Sequence, residues 1–185
     1  MENNRAFVIA ISAVSGGGKT TVINQLNKKL NNSRTLFFDD YDFDGPDDIC
    51  DWVTRGADYN EWDLAPLIND LNSLLSNPGK PLDYILLDYP FAYKHKKMSG
   101  YINFTIFVDT PLDIAMARRI LRDFKGTSSD NILKDLDFYL SRGRIAYLEA
   151  INSIKPDSDF IIDGSSSTDA LVNKIYERIM GNCKI

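Results

Sequence analysis

Ala13-Val14-Ser15-Gly16-Gly17-Gly18-Lys19-Thr20 stands between an apolar run and a helical pattern, and its reading decides the fold. Upstream, Ala6-Phe7-Val8-Ile9-Ala10-Ile11 is apolar and β-branched; downstream, Val22, Ile23, Leu26 and Leu30 recur at helical spacing. In a strand, glycine loop, helix arrangement, backbone N–H groups turn in around phosphate oxygens and the helix N-terminus adds partial positive charge. Ser15, Gly16, Gly17, Gly18, Lys19, Thr20 and Thr21 are therefore candidates for binding a nucleoside triphosphate. Lys19 would reach the terminal phosphates and Thr20 would hold magnesium. The Walker A pattern G-x-x-x-x-G-K-[ST] asks for glycine where Ala13 stands. Alanine is small enough to be tolerated, with strain expected if that position needs a positive φ. The plain alternative, a glycine turn that happens to precede Lys-Thr, is disfavoured by the flanking elements.

A chain of 185 residues suits one domain with a sheet covered on both faces. Hydrophobic content of 44% and charged content of 25% are ordinary for a globular protein. No apolar run approaches the roughly 20 residues of a membrane span, and the run 7–11 is too short for a secretory leader. The expectation is a cytoplasmic protein. Cys50 and Cys183 lie far apart and show no metal spacing, so both read as ordinary reduced thiols. A net charge of −5 argues against nucleic acid or an anionic membrane as partner and for a small molecule, while leaving room for a homodimer.

Five short β-type runs, 7–12, 35–39, 82–88, 102–109 and 159–163, alternate with helical patterns at 19–30, 63–76, 111–124, 132–153 and 168–180. The alternation predicts an α/β fold with a parallel sheet and helical crossovers. Pro111 suits a first helical turn, Asn77-Pro78-Gly79 stops the second helix, and Thr168 is a candidate cap for the last. Segment 40–59 reads as a loop with one short helix at 47–54.

In open α/β sheets ligands sit beyond the carboxyl ends of the strands. Asp39, Asp40 and Asp88 stand at or just after such ends. Tyr84-Ile85-Leu86-Leu87-Asp88 has the form of a Walker B element, whose carboxylate orients magnesium or its waters. The competing reading of Asp88 is a solvated strand-end turn with Tyr89-Pro90. Phosphoryl transfer to a hydroxyl needs a group that positions the hydroxyl and accepts its proton, and Asp39, first after the apolar run, is the candidate. On local sequence alone, Asp39-Asp40 reads better as a turn pair. Arg118 and Arg122 are four apart on one helix face, where they are candidates to close over a triphosphate; Arg119 points elsewhere. Basic residues balancing the helix dipole are the simpler account.

With these residues assembled, the chain resembles the uridine kinase and nicotinamide riboside kinase branch of the P-loop kinases over most of its length. The loop with Thr20-Thr21 is similar to that family's G-K-T-T, and Phe38-Asp39-Asp40-Tyr41 to its Q-D-D-F segment. Ile106-Phe107-Val108-Asp109-Thr110-Pro111 and Ala117-Arg118-Arg119-Ile120-Leu121-Arg122-Asp123 are similar to its fourth strand and arginine lid. The resemblance implies a three-layer P-loop NTPase fold with a five-stranded parallel sheet in the order 2-3-1-4-5. It also implies ATP and Mg2+ as donor and cofactor, and Asp39 as catalytic base beside Asp40 and Tyr41. The single domain, 1–185, would carry an acceptor-side segment at about 40–62 and a lid at about 118–130.

The departures bear on the acceptor. The family's glutamine before the aspartate and its E-G segment are missing, Asp88 replacing the glutamate. Trp52, Tyr59 and Trp62 would form an aromatic wall for a flat ring, with Arg55 and Asp58 for its polar groups. Alternatively the tryptophans only anchor the core. His95, in Tyr93-Lys94-His95-Lys96-Lys97, reads as part of a solvated charge run. A small-molecule kinase acting on a nucleoside-like alcohol is the leading expectation. Behind it stand a nucleoside monophosphate or other metabolite kinase, and a nucleotide-binding regulator that transfers nothing; the guanine-reading N-K-x-D segment expected of a switch does not follow the fourth strand.

Overall fold

The structure, a computed structural model, describes residues 5–77 and 81–182. Pro78, Gly79 and Cys183 lie outside the described residues. Strand β1 (Phe7–Ala13) leads through the glycine loop into α1 (Lys19–Lys29), and β2 (Ser33–Phe37) follows. Then come α2 (Ile49–Thr54), α3 (Ala65–Leu75), β3 (Tyr84–Asp88), α4 (Lys96–Ser99) and β4 (Phe104–Asp109). The chain continues through α5 (Leu112–Asp123), α6 (Ser129–Phe138), α7 (Arg144–Glu149), β5 (Phe160–Asp163) and α8 (Thr168–Asn182).

The five strands form one parallel sheet in the order β2-β3-β1-β4-β5. This is the order that the resemblance to the P-loop kinases implies, with β1 at its centre and both cores packed on it. On one face Val22, Ile23 and Leu26 of α1 meet Leu171 and Ile175 of α8 over Ile9 and Ile11. On the other, Leu67 and Leu71 of α3 and Ala115 of α5 cover Val8, Ile85 and Leu87. Leu67 and Leu71 are 1% and 0% exposed, so truncating either to alanine costs about 2–5 kcal/mol. Among the described residues no helix is long and apolar enough to cross a membrane.

Several boundaries differ from expectation for local reasons. The second strand ends at Phe37 because Phe38–Asp40 turns into a 3-10 helix. Ser33 opens that strand earlier than expected, donating its Oγ hydrogen toward Leu30 O and Asn27 Oδ1 at 3.0 and 2.8 Å. Pro111 is the N-cap of α5 rather than its first residue. The last helix is capped by Ser167, not Thr168: Ser167 Oγ accepts from Ala170 N at 3.3 Å. Segment 132–153, expected as one helix, is α6 and α7 separated by a π turn, Tyr139–Gly143, and followed by another, Ala150–Ile154. A 3-10 turn at Lys155–Asp157 containing Pro156 then ends the run.

His95 is not solvated; it is 3% exposed and caps α4. Its Nδ1 accepts from Met98 N at 3.3 Å and its Nε2 lies 3.1 Å from Trp62 O. Both contacts are met by a neutral ring protonated on Nε2. Burial pushes its pKa below 6.5, outweighing the Trp62 carbonyl, which favours the charged form. Below pH 6.5 the unfolded chain therefore takes up this proton before the folded chain does. His95 stabilises the fold above that pH, and the contribution is lost as pH falls through the lowered folded value. Between pH 7 and pH 5 the melting temperature of the native protein should fall more than that of His95→Asn. Equal slopes would contradict the assignment.

Candidate active site

The apolar side chains of β1 bury the strand up to Val14, and the three glycines that follow have no side chains to pack, so the backbone curls. Gly16 adopts φ 77, and a Cβ there would lie 2.0 Å from Ala115 O at the start of α5. Only glycine permits that approach. Ala13 is the last residue of β1 and is not among the positive-φ residues, so the expected strain is absent. Its methyl sits where a Cβ on Gly17 would come within 2.8 Å, so the glycine at 17 makes room for the alanine at 13. Thr110, just past β4, donates its hydroxyl hydrogen to Gly17 O at 2.8 Å and pins the loop from the sheet.

Where α1 begins, Lys19 and Thr20 converge on Asp88, which the β3 register places opposite Ile11 and Phe37. The Lys19 ammonium pairs with Asp88 Oδ1, and Thr20 Oγ1 donates to Oδ2 at 2.7 Å. Asp88 is 3% exposed, not a solvated turn residue. Burial pulls Lys19 down to about 8; the Asp39 carboxylate opposes this and Arg122 reinforces it. The direct pair with Asp88 favours the charged form.

The loop opens into a cavity of about 780 Å3. Ser15, Gly16, Gly17, Gly18, Lys19, Thr20 and Thr21 line one half with Arg118 and Arg122. Arg118 Nη1 also donates to Gly164 O at 3.4 Å, and Arg122 is paired with the exposed Asp123 beside it. Arg119 packs its Cβ beside Gly16 while its guanidinium grips Asp135, joining α5 to α6.

The other half of the cavity is aromatic. Trp52, Tyr59, Trp62 and Phe91 line it, with ring centroids 5.1 Å apart for Trp52 and Tyr59 and 5.5 Å for Trp62 and Phe91. The tryptophans pack against the core and also line the cavity. Asp39 lines it too, from the 3-10 turn after β2.

Five sequence candidates, Asp40, Tyr41, Arg55, Asp58 and Asp88, lie outside the lining. Asp40 is exposed, as Asp39 is, but does not line the cavity. Tyr41 turns to α3, donating to Asp70 Oδ2 at 2.9 Å. Arg55 is held by Glu61, Nη1 to Oε1 at 2.8 Å with a second contact beside it, and by Asp51 at 3.4 Å. Asp58 likewise is occupied as a cap, accepting from Asn60 N at 3.0 Å. Asp88 sits beneath Lys19 and Thr20 rather than on the cavity wall.

Several lining residues of the 146–154 stretch, Tyr147, Glu149 and Ile154 among them, carried no signal in the sequence. Glu149, at the end of α7, accepts a hydrogen bond from the Tyr59 hydroxyl at 2.7 Å. It lay inside what read as a uniform helix; Gly143 within that pattern was the available hint of irregular winding.

Among the described residues no cluster of three His, Cys, Asp or Glu side chains could hold a metal unaided. The hard oxygens of Thr20 and Asp88, adjoining a phosphate loop, nevertheless suit magnesium, which keeps most of its waters and takes phosphates as ligands.

No protein-family model matches the chain. Uridine kinases of Staphylococcus aureus strains JH9 and Newman are each 27% identical to it, across 93% of this chain and 94% of theirs. Among solved structures, a shikimate kinase from Bacteroides thetaiotaomicron superposes with a TM-score of 0.54 at 15% identity, covering 94% of this chain and 98% of that one. The protein TT1252 from Thermus thermophilus gives 0.53 at 15%, covering 98% and 100%. The chain thus has a P-loop kinase fold and is related to the uridine kinases.

Proposed function

We propose that the protein transfers the γ-phosphoryl group of ATP to a hydroxyl of a nucleoside or nucleoside-like metabolite. The observation that carries this reading is the continuity of one cavity, in which a phosphate loop, a carboxylate and an aromatic wall face the same space. In the reaction the acceptor oxygen attacks the γ-phosphorus, and the bond from that phosphorus to the β,γ-bridging oxygen breaks. ADP leaves with the electron pair, and Asp39 receives the acceptor proton. Lys19 moves from Asp88 onto the terminal phosphates, and backbone N–H groups of the loop hold the rest. Thr20 and Asp88 would hold magnesium, which supplies charge neutralisation at the phosphates.

Arg118 and Arg122 act as a lid over the transferring group. The exposed pair of Arg122 with Asp123 is worth little and gives way readily. Replacing both arginines by alanine should lower kcat roughly 10²–10³-fold, as loss of transition-state donors does, with a smaller change in ATP affinity. An effect on affinity alone would argue against a lid.

A monophosphate acceptor would need cations in the aromatic half, and Arg55, the candidate there, is bound to Glu61 outside the lining. A cytoplasmic setting, where ATP is supplied, fits this activity. The test is ATP consumption measured over nucleosides, riboside vitamins and small alcohols. Turnover that depends on one acceptor class supports the proposal; hydrolysis at one rate regardless of acceptor sinks it, as does ligand-dependent partner binding without turnover.

A further inference from the structure

The aromatic half of the cavity contains a carboxylate that phosphoryl transfer does not require. Glu149 faces the cavity from α7, its Oε1 held by the Tyr59 hydroxyl at 2.7 Å. Among the described residues it has no ion-pair partner. The arginine nearest in purpose, Arg55, is tied to Glu61 and Asp51, and Lys155, further along the same helical run, is tied to Asp109 at 2.6 Å. Glu149 is half-buried and has one neutral donor, so its carboxylate keeps acceptor capacity open to the cavity, which a ligand that brings a positive charge or N–H donors can fill. The rings around it act in the same sense, since aromatic faces attract cations and repel anions.

The winding of the chain places the group there. In a regular α-helix, residues five apart point about 140° from each other, whereas a π turn, with i to i+5 hydrogen bonds, brings them close to one face. Glu149 immediately precedes the π turn Ala150–Ile154, and Glu149 and Ile154 both line the cavity. Tyr59 reaches it from the 3-10 turn Tyr59–Glu61, so the contact also joins the acceptor-side segment to the lid-side helix.

We infer that Glu149, oriented by Tyr59, is the specificity-determining residue of the acceptor half: it selects a flat ring bearing a positive charge or N–H donors and rejects an anionic one. This rests on the proposed kinase reading for the word acceptor. The charge preference, however, belongs to the aromatic part of the cavity, not to the part lined by Lys19, Arg118 and Arg122, and can be measured without catalysis once ADP occupies the loop. The chain's two tryptophans, Trp52 and Trp62, both line the cavity, so their fluorescence reports binding.

The experiment is a fluorescence titration of the whole protein, with saturating ADP on the loop to cover Lys19, Arg118 and Arg122. The titrants are benzamidinium and, separately, benzoate, flat rings of matched size and opposite charge. Benzamidinium should bind at least about tenfold more tightly than benzoate, the scale of one charge-assisted hydrogen bond. In Glu149→Gln the ratio should narrow several-fold. The inference is overturned by benzoate binding the native protein as tightly as benzamidinium, by no saturable benzamidinium binding, or by an unchanged ratio in Glu149→Gln. The first two need no variant, so a folding defect in Glu149→Gln leaves the test intact. Loss of the charge preference with acceptor-dependent turnover present removes only the Glu149 assignment. A clear preference with no transfer to any acceptor removes the kinase reading instead.

Discussion

Lys19→Ala is expected to lower phosphoryl transfer roughly 10²–10³-fold and to weaken ATP binding sharply. The ammonium stands at the junction of loop and α1 and lines the cavity, so it meets the terminal phosphates of any triphosphate seated on the loop. The substitution has a second effect. Asp88, 3% exposed, loses its cationic partner and keeps only Thr20. Stranding a buried charge in this way costs about 3–5 kcal/mol, so the melting temperature should drop as well. Turnover is therefore measured well below the variant's own transition, with ATP affinity measured separately. Near-native turnover under those conditions would mean that this loop is not the donor site.

Asp39→Asn should separate chemistry from binding. Asparagine keeps the shape of the side chain but cannot accept the acceptor proton, and losing a general base costs roughly 10²–10⁴-fold in rate. Asp39 forms no ion pair among the described residues, although its field reaches Lys19 and Arg122. ATP affinity should change little. Asp40→Asn serves as the comparison, because Asp40 is exposed and outside the cavity lining. If Asp40→Asn carries the rate defect and Asp39→Asn does not, the base is the neighbouring residue.

The strands were legible because parallel strands buried on both faces must be written as apolar runs, and Tyr84–Asp88 and Phe104–Asp109 are such runs. Their order came from the resemblance to the P-loop kinases, since an apolar run does not say which strand lies beside it. The backbone of the glycine loop was legible for a different reason: glycines at 16 and 18 serve positive φ, which local sequence encodes directly. The acceptor half was less so. Arg55 looked available because its partner Glu61 is six residues away across a turn that composition does not specify. His95 looked solvated because its neighbours are lysines, yet its ring is folded inward to cap α4 and meet Trp62. Glu149 was hidden for want of any pattern that announces a π turn, since helical periodicity runs on through it. In each case the deciding contact is tertiary, and the residue type alone left several roles open.

The central claim is that donor loop and acceptor wall serve one transfer reaction. Its most direct test is the fate of radiolabelled γ-phosphate from ATP incubated with the native protein and an acceptor identified by the turnover screen. The account predicts label in a phosphomonoester of that acceptor, formed one for one with ADP and largely lost in Asp39→Asn. Label found only as inorganic phosphate, at a rate indifferent to the acceptor, would contradict it.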